Sequence, residues 1–424
     1  MTTIIVGGGW SGLAAAVRLL ERGESVHLIE SAKQLGGRAR NVSWNEQTID
    51  NGQHLLIGAY QQTLKLLQDI GAEESELFQR LPLNVSIRHP YFADLTLTDT
   101  RYLPWPLSLI IKTWQLNGFP VFVQLSRLMF KARLQKKLDD IPVLTWLKKE
   151  KQSERLIKQL WEPLCLATMN TPVSEASTHL FANVLLDTFK KREYADFLIP
   201  KVPLGDSLPA YAERYIQQNG GEISLQKRVK SILIEGNKAM GVVTADDMHL
   251  KADNIIVATG SHTTQRLMGK YWSSPQPRFY PIITVYLQYT PDTKLSRPLL
   301  GLSGTLGQWV FDRGNGLLAI VISGPGKHLE STNDELIDRL HDELCQADLV
   351  ITSALIDGYV IREKRATFSS YVDVSSDRPH TQSSVNGLYL AGDIIHNLYP
   401  ATLEGAVING EKAAELIMTI NTVR

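Results

Sequence analysis

TTIIVGGGWSGLAAAVRLLERGESVHLIE, residues 2–30, decides the fold. Thr2–Val6 is a short apolar run rich in β-branched residues and reads as a strand. Gly7-Gly8-Gly9 follows, and then Ser11–Arg22 carries apolar residues at helical spacing, Leu13, Val17 and Leu20. Gly23 stops that helix and Ser25–Ile29 makes a second strand. Strand, helix and strand in this order imply a parallel sheet buried on both faces, hence an α/β fold.

Gly7-x-Gly9-x-x-Gly12 sits at the turn from strand to helix, and Glu30 closes the second strand. Such glycines permit a tight turn, close approach of backbone to a pyrophosphate, and tight packing of helix on strand. The helix N-terminus, with Ser11 in its first turn, offers free N–H groups and positive dipole to phosphate. Glu30 can accept hydrogen bonds from ribose hydroxyls. Strand, helix and acid together make this a Rossmann-type dinucleotide site rather than a bare glycine-rich turn.

The choice of dinucleotide follows from both ends of the chain. Gly36-Gly37-Arg38 comes just after the second strand, where Arg38 can neutralise a pyrophosphate and the glycines clear room for a bulky cofactor. Residues 388–414 read LYLAGDIIHNLYPATLEGAVINGEKAA. Gly392 and Asp393 end a strand, where ligands bind in open α/β sheets. Asp393 suits a ribityl chain, and a helix starting near Thr402 and Leu403 aims its positive end at an isoalloxazine ring. Val229 and the run ADNIIVATG (252–260) supply an adenine side. The combination points to FAD.

GGGWSGL, GGRAR, DNGQH, AGD and PATLEGAV resemble the flavin amine oxidase and phytoene desaturase superfamily. LWEPLCLATMNTPVSEAS (160–177), VPLGD (202–206) and QWVFDRG (308–314) resemble its squalene-associated branch. The resemblance implies a Rossmann-like FAD-binding domain with a discontinuous α+β substrate-binding domain containing a helical subregion. The expected division is 1–80, 200–265 and 375–424 for FAD, and 81–199 and 266–374 for substrate. It also implies reductive loss of an allylic hydroxyl from hydroxysqualene, giving squalene for hopanoid synthesis in bacteria. The same motifs serve two rivals, a carotenoid-type desaturase or isomerase and a prenyl-lipid binding flavoprotein without catalysis.

IDNGQHLLI (49–57) is the remaining signal. Asn51-Gly52 between apolar flanks predicts a type I′ hairpin turn. Gly52 and Gln53 are expected beside the flavin. His54 is expected to donate a proton to the substrate hydroxyl or orient it, with Asp50 as a supporting acid. The alternative is that Asp50 caps the turn and His54 bonds backbone.

Composition narrows the rest. The 424 residues are 43% hydrophobic and 21% charged, enough for two domains. Lys plus Arg and Asp plus Glu each total 44, so no basic excess suggests nucleic acid. Cys165 and Cys345 form neither a disulfide framework nor a metal-ligand pattern, and no metal is expected. With no secretory signal evident, the expected place is the cytoplasm. Residues 102–137 are dense in Trp, Pro, Leu and Phe, then basic at Lys131, Arg133, Lys136 and Lys137. The stretch fits either a peripheral contact with the inner face of the cytoplasmic membrane or a roof over the substrate cavity. No second dinucleotide fingerprint identifies an electron donor, and nothing sets an oligomeric state.

Overall fold

The computed structural model describes residues 1–99, 101–105, 107–134, 138–350 and 355–422. Lys136 and Lys137 lie outside the described residues. Five parallel strands form the first sheet, in the order Glu222–Ser224, Ser25–Ile29, Thr2–Val6, Asn254–Val257 and Leu388–Leu390. Val6 lies opposite both Ile29 and Val257, so the strands end together. Gly7 N–H bonds the Ile29 carbonyl at 2.8 Å and Ala258 N–H bonds the Val6 carbonyl at 2.8 Å. Gly7, Glu30, Ala258 and Ala391 therefore emerge at one edge.

Both faces of this sheet are covered, as its near-continuous apolar strands require. Helix Trp10–Leu20 buries Leu13, Ala14, Ala15, Ala16 and Val17. It packs against the C-terminal helix Leu403–Thr422. Their backbones come very close at Gly410, where a Cβ would stand 2.1 Å from the Ser11 carbonyl oxygen.

A second, seven-stranded sheet runs in the order Leu355–Phe368, Phe279–Tyr289, Leu317–Ser323, Trp309–Asp312, Leu299–Leu302, Asn84–Arg88 and Leu95–Thr98. Its pairs are antiparallel except Leu299–Leu302 with Asn84–Arg88. Strand alternation gives it two apolar faces. Ile283, Val285, Leu287, Val310 and Ile320 pack on Leu336, Leu340 and Leu344 of helix Asn333–Gln346. Trp309, Phe311 and Val321 point the other way, towards a cavity roofed by helices.

Those roof helices are Glu162–Met169 and Thr178–Thr188. A π-helical turn, Ile157–Trp161, precedes the first of them and absorbs Pro163, whose ring has no N–H and crowds the preceding turn. Asn170 ends the helix with φ 47°. Its amide donates to Thr367 Oγ1 at 2.9 Å and the Tyr280 carbonyl at 3.1 Å, and its Oδ1 accepts from Gly324 N–H at 2.5 Å. One residue thus ties the roof to the sheet.

One sequence expectation changes. Asn51-Gly52 is not a type I′ turn, because neither residue has positive φ. The hairpin of Asn41–Trp44 with Gln47–Asp50 turns instead at Asn45 and Glu46, with φ 46° and 60°. Asn51 spends its side chain on the Arg38 carbonyl at 3.2 Å and Glu363 at 3.3 Å. Between Ser207 and Ala258, helix Leu208–Gln218 leads into five strands. The fourteen-residue strand Leu355–Phe368 was not anticipated, because its faces are too mixed to alternate cleanly.

Residues 107–132 form two helices, Leu107–Asn117 and Phe119–Ala132, broken at Gly118 with φ 86°. Val121, Leu128 and Ala132 turn inward, and the helix packs against Thr178–Thr188. Outward stand Trp114, Phe119 and Phe130, exposed by 54%, 58% and 62%. Among the described residues, no helix is long and apolar enough to cross a membrane.

Candidate active site

A cavity of about 720 Å³ runs from the carboxyl edge of the parallel sheet to the apolar face of the mixed sheet. Gly7, Gly9, Ser11, Glu30, Gly36, Gly37 and Arg38 line one end, with Val229 on the same wall. Gly52, Gln53, His54, Gly392, Asp393, Thr402 and Leu403 line the middle. Gly12 and Asp50 do not reach it. Gly12 serves packing instead, since a Cβ there would stand 2.0 Å from the Gly7 carbonyl oxygen.

The wall has the features of a dinucleotide cradle. A Cβ on Gly9 would meet nothing nearer than Gly37 Cα, at 4.0 Å. Gly9 has φ −76°, open to any residue, so nothing in the protein itself demands glycine there. Ser11 Oγ is buried at the helix N-terminus with no hydrogen-bond partner among the described residues. A pyrophosphate beside Gly9 would take up both the space and that hydroxyl. Glu30 is held by Gly8 N–H at 2.6 Å and Ala32 N–H at 2.7 Å, leaving lone pairs for ribose hydroxyls.

Arg38, expected at the pyrophosphate, and Asp393, expected at the ribityl chain, are an ion pair of 2.7 Å. Arg38 also donates to the Ala366 carbonyl at 2.5 Å. Thr402 caps the C-terminal helix, its Oγ1 accepting from Gly405 N–H at 3.0 Å. With Leu403 and Ala406 also on the wall, the positive end of that helix faces the cavity.

Asp50 and His54 part company. Asp50 Oδ1 accepts from Leu204 N–H at 2.6 Å, and its carbonyl accepts from the Tyr286 hydroxyl at 3.1 Å. It therefore anchors the VPLGD turn. Burial raises its carboxyl above the ordinary range, against the pull of His54. Burial likewise lowers the His54 imidazole, against the pull of Asp50, so the ring is neutral at neutral pH. His54 Nδ1 is buried without a hydrogen-bond partner among the described residues.

Beyond His54 the cavity becomes apolar. Ile87, Leu97, Trp309 and Phe311 line the sheet side, with Leu160, Leu164, Val184 and Leu185 on the helices. Asp187, Tyr399 and Tyr60 break this lining, and sequence reasoning missed all three. Their signal was slight. Tyr399 lies just before the Pro-Ala-Thr motif, but nothing in the chain pairs it with the distant Asp187.

Arg378 was missed too. Its buried guanidinium donates to the carbonyls of Asp393 at 2.8 Å, Ile394 at 3.2 Å, Asn397 at 3.1 Å and Tyr399 at 2.8 Å, and to that of Ile395. It also bonds Asn397 Oδ1 at 3.1 Å and lies over the Phe368 ring. Burial lowers its pKa to about 10. This one side chain shapes the loop that carries Asp393 and Tyr399.

Comparison with known proteins agrees with this geometry. The family of flavin containing amine oxidoreductases matches residues 10–418. A hydroxysqualene dehydroxylase of Zymomonas mobilis is 28% identical over 438 residues, covering 98% of this chain and 99% of the relative. A 15-cis-phytoene desaturase of Glycine max is 22% identical, covering 99% of this chain and 79% of its own. The crystal structure of an oxidoreductase from Methanosarcina mazei superposes with a TM-score of 0.73 at 17% identity, covering 98% of this chain and 100% of that one. The chain belongs to the flavin containing amine oxidoreductase family and is an FAD-dependent oxidoreductase.

Proposed function

We propose that the protein removes the hydroxyl of hydroxysqualene reductively, forming squalene. The observation that carries this reading is the long apolar arm joined directly to the dinucleotide cradle, which suits a C30 hydrocarbon bearing one polar group. The relatives named hydroxysqualene dehydroxylase support it.

Reduced FAD, when bound, supplies hydride. The Gly9 turn, Ser11 and Glu30 would hold its ADP half, and the Arg38–Asp393 pair and the Thr402 helix end would flank the rest. The sheet and roof helices exclude water from the arm, which protects a carbocation from hydration. The neutral His54 orients the substrate hydroxyl near the centre of the cavity.

Entry of so insoluble a substrate calls for an apolar surface. Helices Leu107–Asn117 and Phe119–Ala132 offer one, and residues 101–134 contain basic side chains but no acidic ones. Trp105, just ahead of them, stacks on Phe189 of the cavity wall with centroids 6.3 Å apart. The reading is that these helices rest on the anionic face of a bilayer and pass substrate inward beside Phe189.

The deciding experiment incubates protein carrying dithionite-reduced FAD with hydroxysqualene under anaerobic conditions. Squalene should appear in step with flavin reoxidation. Desaturation of a polyene by the oxidised protein, with hydroxysqualene untouched, would overturn the reading in favour of a phytoene desaturase-like activity. In the same assay His54→Ala should keep its FAD and form squalene more slowly. Wild-type speed would remove His54 from the reaction.

A further inference from the structure

An apolar cavity wall tolerates a carboxylate only where something compensates for its burial. Asp187 stands in the last turn of helix Thr178–Thr188, on the cavity wall. Its Oδ2 accepts a hydrogen bond from the Tyr399 hydroxyl at 2.7 Å. The other oxygen, Oδ1, has no hydrogen-bond partner among the described residues. Tyr399 itself is held by the bond from Arg378 to its carbonyl, at 2.8 Å. Burial, then the bond to Asp187, pushes ionisation of the phenol upward, with Glu404 and Tyr60 adding to it. The phenol therefore keeps its proton and acts as a donor. Two residues far apart in sequence thus leave one carboxyl oxygen free beside a hydrocarbon channel.

We propose that Asp187 is the proton donor to the substrate hydroxyl and that Tyr399 is its positioning residue. The proposal rests on the dehydroxylation reading above. Asp187 gives a proton to the hydroxyl oxygen. The allylic C–O bond breaks with both electrons staying on oxygen, and water leaves. The allylic cation takes up the hydride named above, giving the hydrocarbon. The Asp187 carboxylate produced is stabilised by the Tyr399 hydrogen bond, which strengthens when its acceptor becomes charged. Solvent then returns a proton to Asp187.

Three variants test this. Asp187→Asn should bind FAD with an unchanged visible spectrum, yet slow single-turnover flavin reoxidation by hydroxysqualene at least ~100-fold, as loss of a general acid does. Tyr399→Phe should slow it about tenfold, since a charge-assisted bond of ~1.5 kcal/mol is lost. The corresponding allylic chloride needs no proton to depart, so it should restore Asp187→Asn to within about threefold of wild type. A purely structural role would show no such rescue. With FAD-free protein, wild type should prefer hydroxysqualene over squalene at least ~tenfold in binding, and Asp187→Leu should lose that preference. If Asp187→Asn turns hydroxysqualene over at wild-type speed, or reacts as slowly with the chloride as with the alcohol, Asp187 is not the acid, while the dehydroxylation reading stands. If wild type forms no squalene, that reading fails and this inference with it.

Discussion

Gly9 and Gly12 look alike in the sequence and do different work. Gly12 is a packing glycine, since its Cβ would collide with the Gly7 carbonyl. Gly9 has room for a methyl group and an ordinary φ. Gly9→Ala should therefore leave the FAD-free protein within ~1 kcal/mol of wild type in stability and weaken FAD binding at least ~tenfold. Gly12→Ala should cost about 3 kcal/mol before any cofactor is added. Urea unfolding and flavin titration separate the two, and equal FAD affinity in Gly9→Ala would place the pyrophosphate elsewhere. At this scale the local residues were legible, because Gly7, Gly9, Ser11 and Glu30 act within one strand–helix–strand unit. Arg378, Asn170 and Asp187 were not. Their partners lie on other elements, and no local pattern distinguishes an arginine that binds five carbonyls from one in solvent.

Helices and strands were legible where their burial was one-sided or complete. Thr2–Val6 and Ser25–Ile29 are continuous apolar runs and match the expected bounds. Leu355–Phe368 escaped notice because its exposed and half-buried positions follow no period of two. The helices of 107–132 were legible as a stretch dense in apolar residues, but which side faces outward depends on the Thr178–Thr188 helix beneath. Their outward aromatics now carry a specific expectation. Replacing Trp114, Phe119 and Phe130 together by serine should lower cosedimentation with phosphatidylglycerol vesicles at least ~tenfold, given the apolar area withdrawn. Turnover of detergent-dispersed hydroxysqualene should be largely retained. Undiminished vesicle binding would mean that these side chains do not meet lipid.

Over the whole molecule, the cavity proposed to hold FAD is lined from both ends of the chain. Gly9 and Glu30 line it together with Asp393 and Thr402. Arg18 bonds Glu411 at 2.8 Å across the two packed helices. Anything that binds such a folded site and not the unfolded chain stabilises the fold. Stripping FAD should therefore lower Tm by several degrees, and FAD at a hundred times its Kd should restore about 2.7 kcal/mol. Calorimetry that finds Tm indifferent to FAD would show that the two ends do not close on it together. The legible part at this scale was the α/β class and the meeting of residues from both ends of the chain at one cavity. The order of the seven-stranded sheet was not, because it depends on long-range pairings such as Gly301 with Ile87.

The edge strand Leu388–Leu390 has a consequence for the order of events during synthesis. It completes a sheet begun by residues 2–6, yet it leaves the ribosome only after residues 7–387. Until then the strand Asn254–Val257 has an open side, and the Ala-rich face of the first helix lacks the helix that covers it. A nascent chain of this protein must therefore hold exposed apolar surface until residues 388–422 emerge. The cavity lacks part of its lining until Asp393, Thr402 and Ala406 are free.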